Sequence, residues 1–537
     1  MRLFRPTYMT ERRWLIRVVG VFAMIWPAGT MAQTPADCTR NPDQTRWFVR
    51  AGPPGEAAGT TDRPFSSLAE VERCAPAGAT ITVLAPADSA PPLDGGIRLK
   101  DRQKLLGPAA AGSGQPAVRL TNTSGAGDAV TLAHGNEIAH LHIDNPAGAA
   151  IFGDNVNGTH LHDLLLTRRG TSPPTRLDTS LCRVVKTADA VDMSQSVLRG
   201  CTGGQVGGRF KSAIVLLVDD GAGVANVRYS IQRLAIQDNP AHEQPQFLWP
   251  TGVYLVAAGR VSALLEMQDS SVDNGVRGLI LWASDRSTIT GQITNLRLES
   301  LRSDGIVPAT GFACSGLDKT FSPNCSKLAP APVSEARIVL NVDRLQFSDT
   351  RRHGVPNDAG VIEPSAYDQG RSTIEIHVQR SDITEAAAAG VYTFYITGRP
   401  GKDVMDLGCV NPDPKGTAPD PEACRRAGYT SVGQNRIFGN SRTSKTYTPQ
   451  GELALQGPGA MMAQGNYFGD IAPADGKGDA LGECHVMVWP ENVKEEPPPA
   501  KPIPNARCEL YEVPGQGKPT GIDARFHLAT DPRPPRK

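Results

Sequence analysis

Four of the ten histidines in this chain of 537 residues stand in two copies of one triplet. They are His140 and His142, then His160 and His162, within "IAHLHIDNPAGAAIFGDNVNGTHLHDL" (138–164). Imidazole suits first-row transition metals, and Asp144 and Asp163 follow close behind, so the four histidines make a candidate metal set. What would bring them together is a stack of β coils. With Leu141 and Ile143 turned inward, His140 and His142 face out, and His160 and His162 fall directly over them one coil later, about 4.8 Å away. The competing reading is an exposed polar ladder, which repetition produces without any ligand.

Two sets of acids could also do chemistry. Asp219 and Asp220 form a pair in "VDDGAG", and His353 precedes Gly354 far downstream. Paired carboxylates can protonate a leaving group and activate water. However, the stretch between Asp220 and His353 would hold several coils, where neighbouring coils are needed. His353 also fills the same pre-glycine slot as Asn274 and Asp304, which makes it equally a corner residue. Glu266, Asp269, Asp273, Glu299 and Asp304 recur on successive repeats and could offer oxygen ligands to calcium. Arg277, Arg297, Arg302 and Arg344 alternate with them as candidate bases, although mixed outward charge is also ordinary on a soluble solenoid. No Gly-x-Ser-x-Gly, His-Glu-x-x-His or phosphate-binding loop occurs.

The elements that must position these residues repeat along the chain. "RLAIQDNPA" (233–241) echoes "HLHIDNPAG" (140–148), and "LLEMQDSSVDNGV" (264–276), "LRLESLRSDGI" (296–306) and "LQFSDTRRHGV" (345–355) share a second frame. "IHVQRSDITEAAAAGVY" (376–392) repeats the idea. Glycine followed by an apolar residue recurs at 275, 305, 354 and 390. Short alternating runs at such intervals predict a solenoid, because no single coil can bury its apolar side alone. Glycine and asparagine are expected at the corners, where left-handed backbone is needed. "SSLAEVERCA" (66–75) reads as a short capped helix, Ser67 and Glu70 forming a capping box with Leu68, Val71 and Cys74 on one face. "ATITVLAPA" (79–87) then reads as a first strand.

Composition narrows the class. Lysine plus arginine and aspartate plus glutamate both number 55, so no basic footprint for nucleic acid exists. Arg2, Arg5, Arg12, Arg13 and Arg17 precede the short apolar run 18–26, with Thr30 and Ala32 before Gln33. That order predicts a cleaved signal peptide over 1–32, and no later segment is long enough to span a membrane. Removing five arginines and Glu11 leaves a mildly acidic mature chain. The ten cysteines fall as neighbours: Cys38 and Cys74, Cys182 and Cys201, Cys314 and Cys325, Cys409 and Cys424, Cys484 and Cys508. An even count in an exported chain favours five sequential disulfides, and no CxxC spacing supports zinc.

"WFVRAGPPGEAAGTTDRPFSSLAEVERCAPAGATITVLAPA" (47–87) resembles the opening of exported right-handed parallel β-helix proteins, the pectin-lyase-like superfamily. "NRIFGN" (435–440) and "AMMAQGNYFGD" (460–470) resemble the end of their last coils. The resemblance spans roughly 45–475 and implies fold more than function, since the superfamily includes lyases, hydrolases, epimerases and adhesins. Asp219, Asp220 and His353 match the order of the polygalacturonase-type acids and histidine. The Asn-Thr-Asp and Arg-Ile-Lys motifs of those hydrolases are absent, as are Trp-Ile-Asp-His of pectate lyases and Asp-Pro-His-Asp of alginate epimerases.

The expectation is therefore an all-β, right-handed parallel β-helix. A signal peptide covers 1–32, an N-terminal helical cap with first strands 33–105, and the solenoid 106–475, with inserted loops near 307–332 and 396–430. A C-terminal cap and disulfide-tied, proline-rich tail cover 476–537. The protein is expected in the periplasm or outside the cell, with a polysaccharide or cell-surface component as partner and calcium or a transition metal as the ion such ladders would take. It would bind or process a polysaccharide along the solenoid face, and as an enzyme would be a lyase or glycoside hydrolase. The alternatives are a non-catalytic adhesin-like or envelope scaffold and a periplasmic metal-binding β-helix.

Overall fold

Apolar–polar alternation along the sequence becomes buried–exposed alternation along strands. In Arg337–Asp343 and Thr373–Gln379 every second side chain is buried, and the intervening ones reach the surface. The computed structural model describes residues 38–52, 57–86, 91–109, 116, 118–123, 127–144, 146–168, 212–219, 225–238, 249, 251–284, 286–310, 335–348, 360–366, 372–386, 389–395, 403–413, 416, 418–440, 452–456, 460–469, 486–489, 521–524, 526, 528 and 531–532. All of them belong to the unit Asp37–Lys537. The signal-peptide reading lies outside the described residues, as does most of the tail.

Among the described residues nearly all regular structure is strand, gathered into one sheet of nineteen strands and one of twelve. The strand pairings are parallel. The smaller sheet takes its strands in chain order, from Ile97–Arg98 through Ile214–Val218, Thr251–Ala257 and Arg277–Ala283 to Val486–Trp489, while the intervening strands join the larger sheet. The chain thus alternates between two parallel sheets, a solenoid-like all-β fold. Stacked equivalents form the core: Trp47, Ile81, Leu105, Ile138, Leu161, Ile231, Met267, Ile293, Val342 and Val378 occupy one register position and are all buried. Each contributes about 1.5–3 kcal/mol of burial, and only because a neighbouring coil covers it.

The larger sheet bends at a fixed corner. His140, Asp163, Arg233, Asp269, Asn295, Arg344, Arg380 and Gln434 are in left-handed backbone, φ between 49° and 63° across the non-glycine set, and register places each beside the next. The residue after each one turns inward and is buried: Leu141, Leu164, Leu234, Ser270, Leu296, Leu345, Ser381 and Asn435. Glycine and asparagine were expected at the corners; Asn295 fits, and the other seven positions of this corner are held by other polar side chains. Gly135 and Gly158, with φ of 68° and 73°, hold a neighbouring turn as expected, and a further row of glycines lies in the smaller sheet. A Cβ on Gly278 would lie 2.4 Å from the Gly305 carbonyl oxygen, and one on Gly305 would lie 2.5 Å from that of Val361. Close backbone approach, not a turn, requires glycine there. Gly305 stands beside Gly278 and not beside Gly275, so the glycine-based frame is three residues out at that step.

Helix Leu68–Cys74 forms as its sequence predicts. The Ser67 hydroxyl accepts from the Glu70 amide, the Glu70 carboxylate accepts from the Ser67 amide, and Leu68 and Val71 are buried. A strand, Arg46–Val49, precedes the expected first one and pairs with Thr80–Val83. Cys38 is bonded to Cys74 and Cys409 to Cys424, with Cα atoms 5.1 Å and 5.8 Å apart. Cys182, Cys201, Cys314, Cys325, Cys484 and Cys508 lie outside the described residues. The described part of 396–430 contains the sheet strand Val404–Gly408 followed by the short helix Pro421–Arg426. No described helix is long and apolar enough to cross a membrane.

Candidate functional site

The strand Thr159–Arg168 carries His160 and His162 outward, because Leu161 between them fills the core. Their neighbours differ from the expectation. His160 pairs with Glu137 and His162 with Ala139, while Leu165 pairs with His142. One coil is thus the step from Glu137 to His160, three residues longer than the step from His140 to His160, and the two triplets do not stack. His140 stands at the corner, beside Asp163. His142, expected outward, is 6% exposed, with Nε2 2.7 Å from the Thr167 hydroxyl. Thr167, buried, and Arg119, reaching in from the surface, both bond Asp144, which makes this a separate group.

Three histidines nevertheless converge. The ring centroids of His160 and His162 are 4.5 Å apart, and the His140 ring meets that of His162 edge-on at 5.5 Å. His162 Nδ1 is 2.7 Å from Asp163 Oδ2, and its Nε2 is 3.3 Å from Glu137 Oε1. Lys104 Nζ holds the other Glu137 oxygen at 2.8 Å, and Arg233 holds both Asp163 oxygens at 2.6 Å and 2.8 Å. Hydrogen bonds from Arg233 keep the Asp163 carboxyl far below the usual carboxylate range, and Lys104 lowers that of Glu137. Burial lowers the His160 pKa. Glu137 was missed in the sequence because its relation to His160 depends on the true coil register, not on the repeated triplet.

A polar row runs along the same face. Glu137, His160, Ser230, Glu266, Gln292, Asn341, His377 and Asp406 occupy successive equivalent positions. At its far end Asp406 is fully buried and accepts from the amides of Gly408, Thr430 and Ser431 at 3.1, 2.7 and 2.8 Å. Its Oδ2 lies 2.8 Å from His377 Nδ1, which the Thr430 hydroxyl also approaches at 3.0 Å. An imidazole anchored by a buried carboxylate through Nδ1 can use Nε2 to exchange a proton with a bound molecule. Neither residue was singled out in the sequence: they stand on different coils, and the repeat 376–392 that contains His377 was read for its spacing alone.

The remaining candidates are dispersed. Asp219 is buried, its amide donating to Asn155 Oδ1 at 2.7 Å, and burial, with Asp219 beside it, raises Asp154 to about 6. Asp220 and His353 lie outside the described residues. Of the acids expected to face outward, Asp273 and Asp304 are buried, and all five are met by neighbouring side chains: Glu266 by Arg228 at 2.7 Å, Asp269 by Asn295 at 2.6 Å, Asp273 and Glu299 by Arg297 at 3.0 Å and 3.3 Å, Asp304 by Arg277 at 2.8 Å. Arg302 is buried and Arg344 lies 3.6 Å from Asp343. That is a cross-coil network in which the acids do not converge on a calcium position. Compared with protein-family models, curated proteins and solved structures, the chain matches none.

Proposed function

We propose that this protein is exported and that its long sheet face engages an extended polysaccharide or a comparable cell-surface polymer. The observation that carries this reading is the row from Glu137 to His377, in which seven coils each present a hydrogen-bonding side chain at one register position. A polymer that repeats its hydroxyls and carboxylates meets a row that repeats its donors and acceptors. Ser230, Gln292 and Asn341 offer neutral hydrogen bonds to such a polymer. His377 is the group on this face placed to move a proton, in a lyase or hydrolase step.

In this reading the solenoid winds right-handed, as about 98% of crossovers between parallel strands do. Helix Leu68–Cys74, packed on Arg46–Val49 and Ile97–Arg98 and tied to Cys38, caps its first end. Export is supported by the arginine-then-apolar N-terminus and by disulfides, which persist in oxidising compartments. A second reading, a non-catalytic rod, is favoured by the arginine–carboxylate pairs across coils, which commit many surface charges to the fold itself.

The test incubates the mature protein with neutral and uronate polysaccharides, with and without calcium, and reads binding, new reducing ends and unsaturated products together. Gln292→Ala with Asn341→Ala should weaken binding about tenfold, the loss of one or two hydrogen bonds. Products that vanish in His377→Ala would establish catalysis. Binding to no polymer would overturn the proposal in favour of the rod.

A further inference from the structure

We infer that Glu137, His160 and His162 form a binding site for one divalent transition ion of the zinc type, with Asp163 and Lys104 holding the ligands in place. These three residues bring one ligand atom each within 4.8 Å of one another. Two imidazoles and one carboxylate make a three-ligand set, which leaves a position of a tetrahedral shell open.

The hydrogen bonding around the site supports a cation. In the tautomer that donates Nδ1–H to Asp163, 2.7 Å away, His162 presents a lone pair at Nε2. That lone pair faces the Glu137 oxygen at 3.3 Å. Two acceptors so placed repel unless a proton or a cation lies beside them. His160 Nε2 is buried and has no hydrogen-bond partner among the described residues. Behind the ligands stands a second layer, Lys104 on Glu137 and Arg233 on Asp163. A carboxylate that orients a ligating histidine, and is itself held, is how metal ligands are fixed.

A second grouping, His140, His162 and Asp163, is also close enough to share an ion. Arg233 already takes both Asp163 oxygens, so the Glu137 grouping is the one whose carboxylate still has an oxygen to give. The rival account needs no metal: a doubly protonated His162 bridging Glu137 and Asp163 as an ion pair. The inference is independent of the polysaccharide reading, because metal titration needs no polymer.

The experiment strips the mature protein with a chelator, titrates it with zinc chloride by calorimetry, and repeats the titration with cobalt(II) chloride by visible absorption. One ion per chain is expected, with the intense bands of a low-coordinate cobalt site. Glu137→Gln and His162→Ala should each weaken zinc binding by about 100-fold or more, and Asp163→Asn by about 10–100-fold. His134→Ala, at an exposed turn, should change nothing. In the unaltered protein, zinc should shield His160 and His162 from carbethoxylation while His134 stays reactive. That measurement holds even where a variant fails to fold. No stoichiometric zinc binding, unchanged binding in both ligand variants, or equal labelling with and without zinc would each overturn the site and leave the protonated bridge.

Discussion

Asp154 ends the strand Ile151–Asp154, and burial together with the enclosed charge of Asp219 lifts its carboxyl from 3.8 to about 6. A carboxyl raised in the folded state binds its proton more tightly there than in the unfolded chain. Its stabilising contribution is therefore complete below about pH 4 and is lost as pH rises through about 6. Asp154→Asn removes that loss, since the amide carries no charge to repel Asp219. The variant should match the parent at pH 4 and exceed it by about 2 kcal/mol at pH 8, allowing for the partial exposure of the group. Chemical denaturation across that range would show it; an equal shift at both pH values would refute the assignment. No sequence motif marks Asp154. Its environment is built by a segment far along the chain, the Asn155–Asp219 contact having a separation of 64.

At the level of the element, the corner of the larger sheet holds non-glycine residues in left-handed backbone, at about 1–2 kcal/mol each. Arg344 tests the point well, with φ 58°, its side chain mostly exposed and only a long contact to Asp343. Arg344→Gly relieves the strain but adds freedom to the unfolded chain, so stability should change by less than about 1 kcal/mol. Arg344→Val places a β-branched residue where φ is positive and should cost about 2 kcal/mol. Equal costs would mean that the guanidinium, not the backbone, matters there. This corner also explains which parts of the fold were legible. Alternation, the capping box at Ser67 and two cysteine pairs could be read directly, because each is local. The echo of His140-Leu141 in Arg233-Leu234 was in true register, since both are a corner residue followed by a core leucine. The same polar–leucine step recurs at Asp163-Leu164, Asn295-Leu296 and Arg344-Leu345 and would have given the coil length. The repeated His-Leu-His was the louder signal and the wrong one: His140 turns a corner and His142 is enclosed, while His160 and His162 ride an outward strand. Convergence of Glu137, His160 and His162 follows only once the coil is counted from corner to corner, His140 to Asp163.

At the scale of the whole molecule, parallel coils touch only their neighbours, so stability should be distributed along the stack and not shared by all of it. The bond between Cys38 and Cys74 closes a separation of 36 residues at one end, and its removal costs about 3–4 kcal/mol in the chain-entropy view. Cys38→Ala with Cys74→Ala should raise amide exchange in Arg46–Val49 and Thr80–Val83 by about 100-fold, because local opening there no longer meets the crosslink. Exchange in Ser262–Asp273 and Thr288–Glu299, several coils away, should stay unchanged. Met267→Ala is the counterpart in the middle of the stack. It leaves a cavity between Ile231 and Ile293, costs about 3 kcal/mol, and should loosen the strands on both of its sides while sparing Arg46–Val49. A uniform rise in exchange from either change would mean that the stack unfolds as one cooperative body. In that case damage at one end would reach the polar row and the histidine cluster alike. If exchange stays local instead, the histidine cluster, built from a few adjacent coils, and the middle of the polar row, which spans seven, both tolerate loss at the ends.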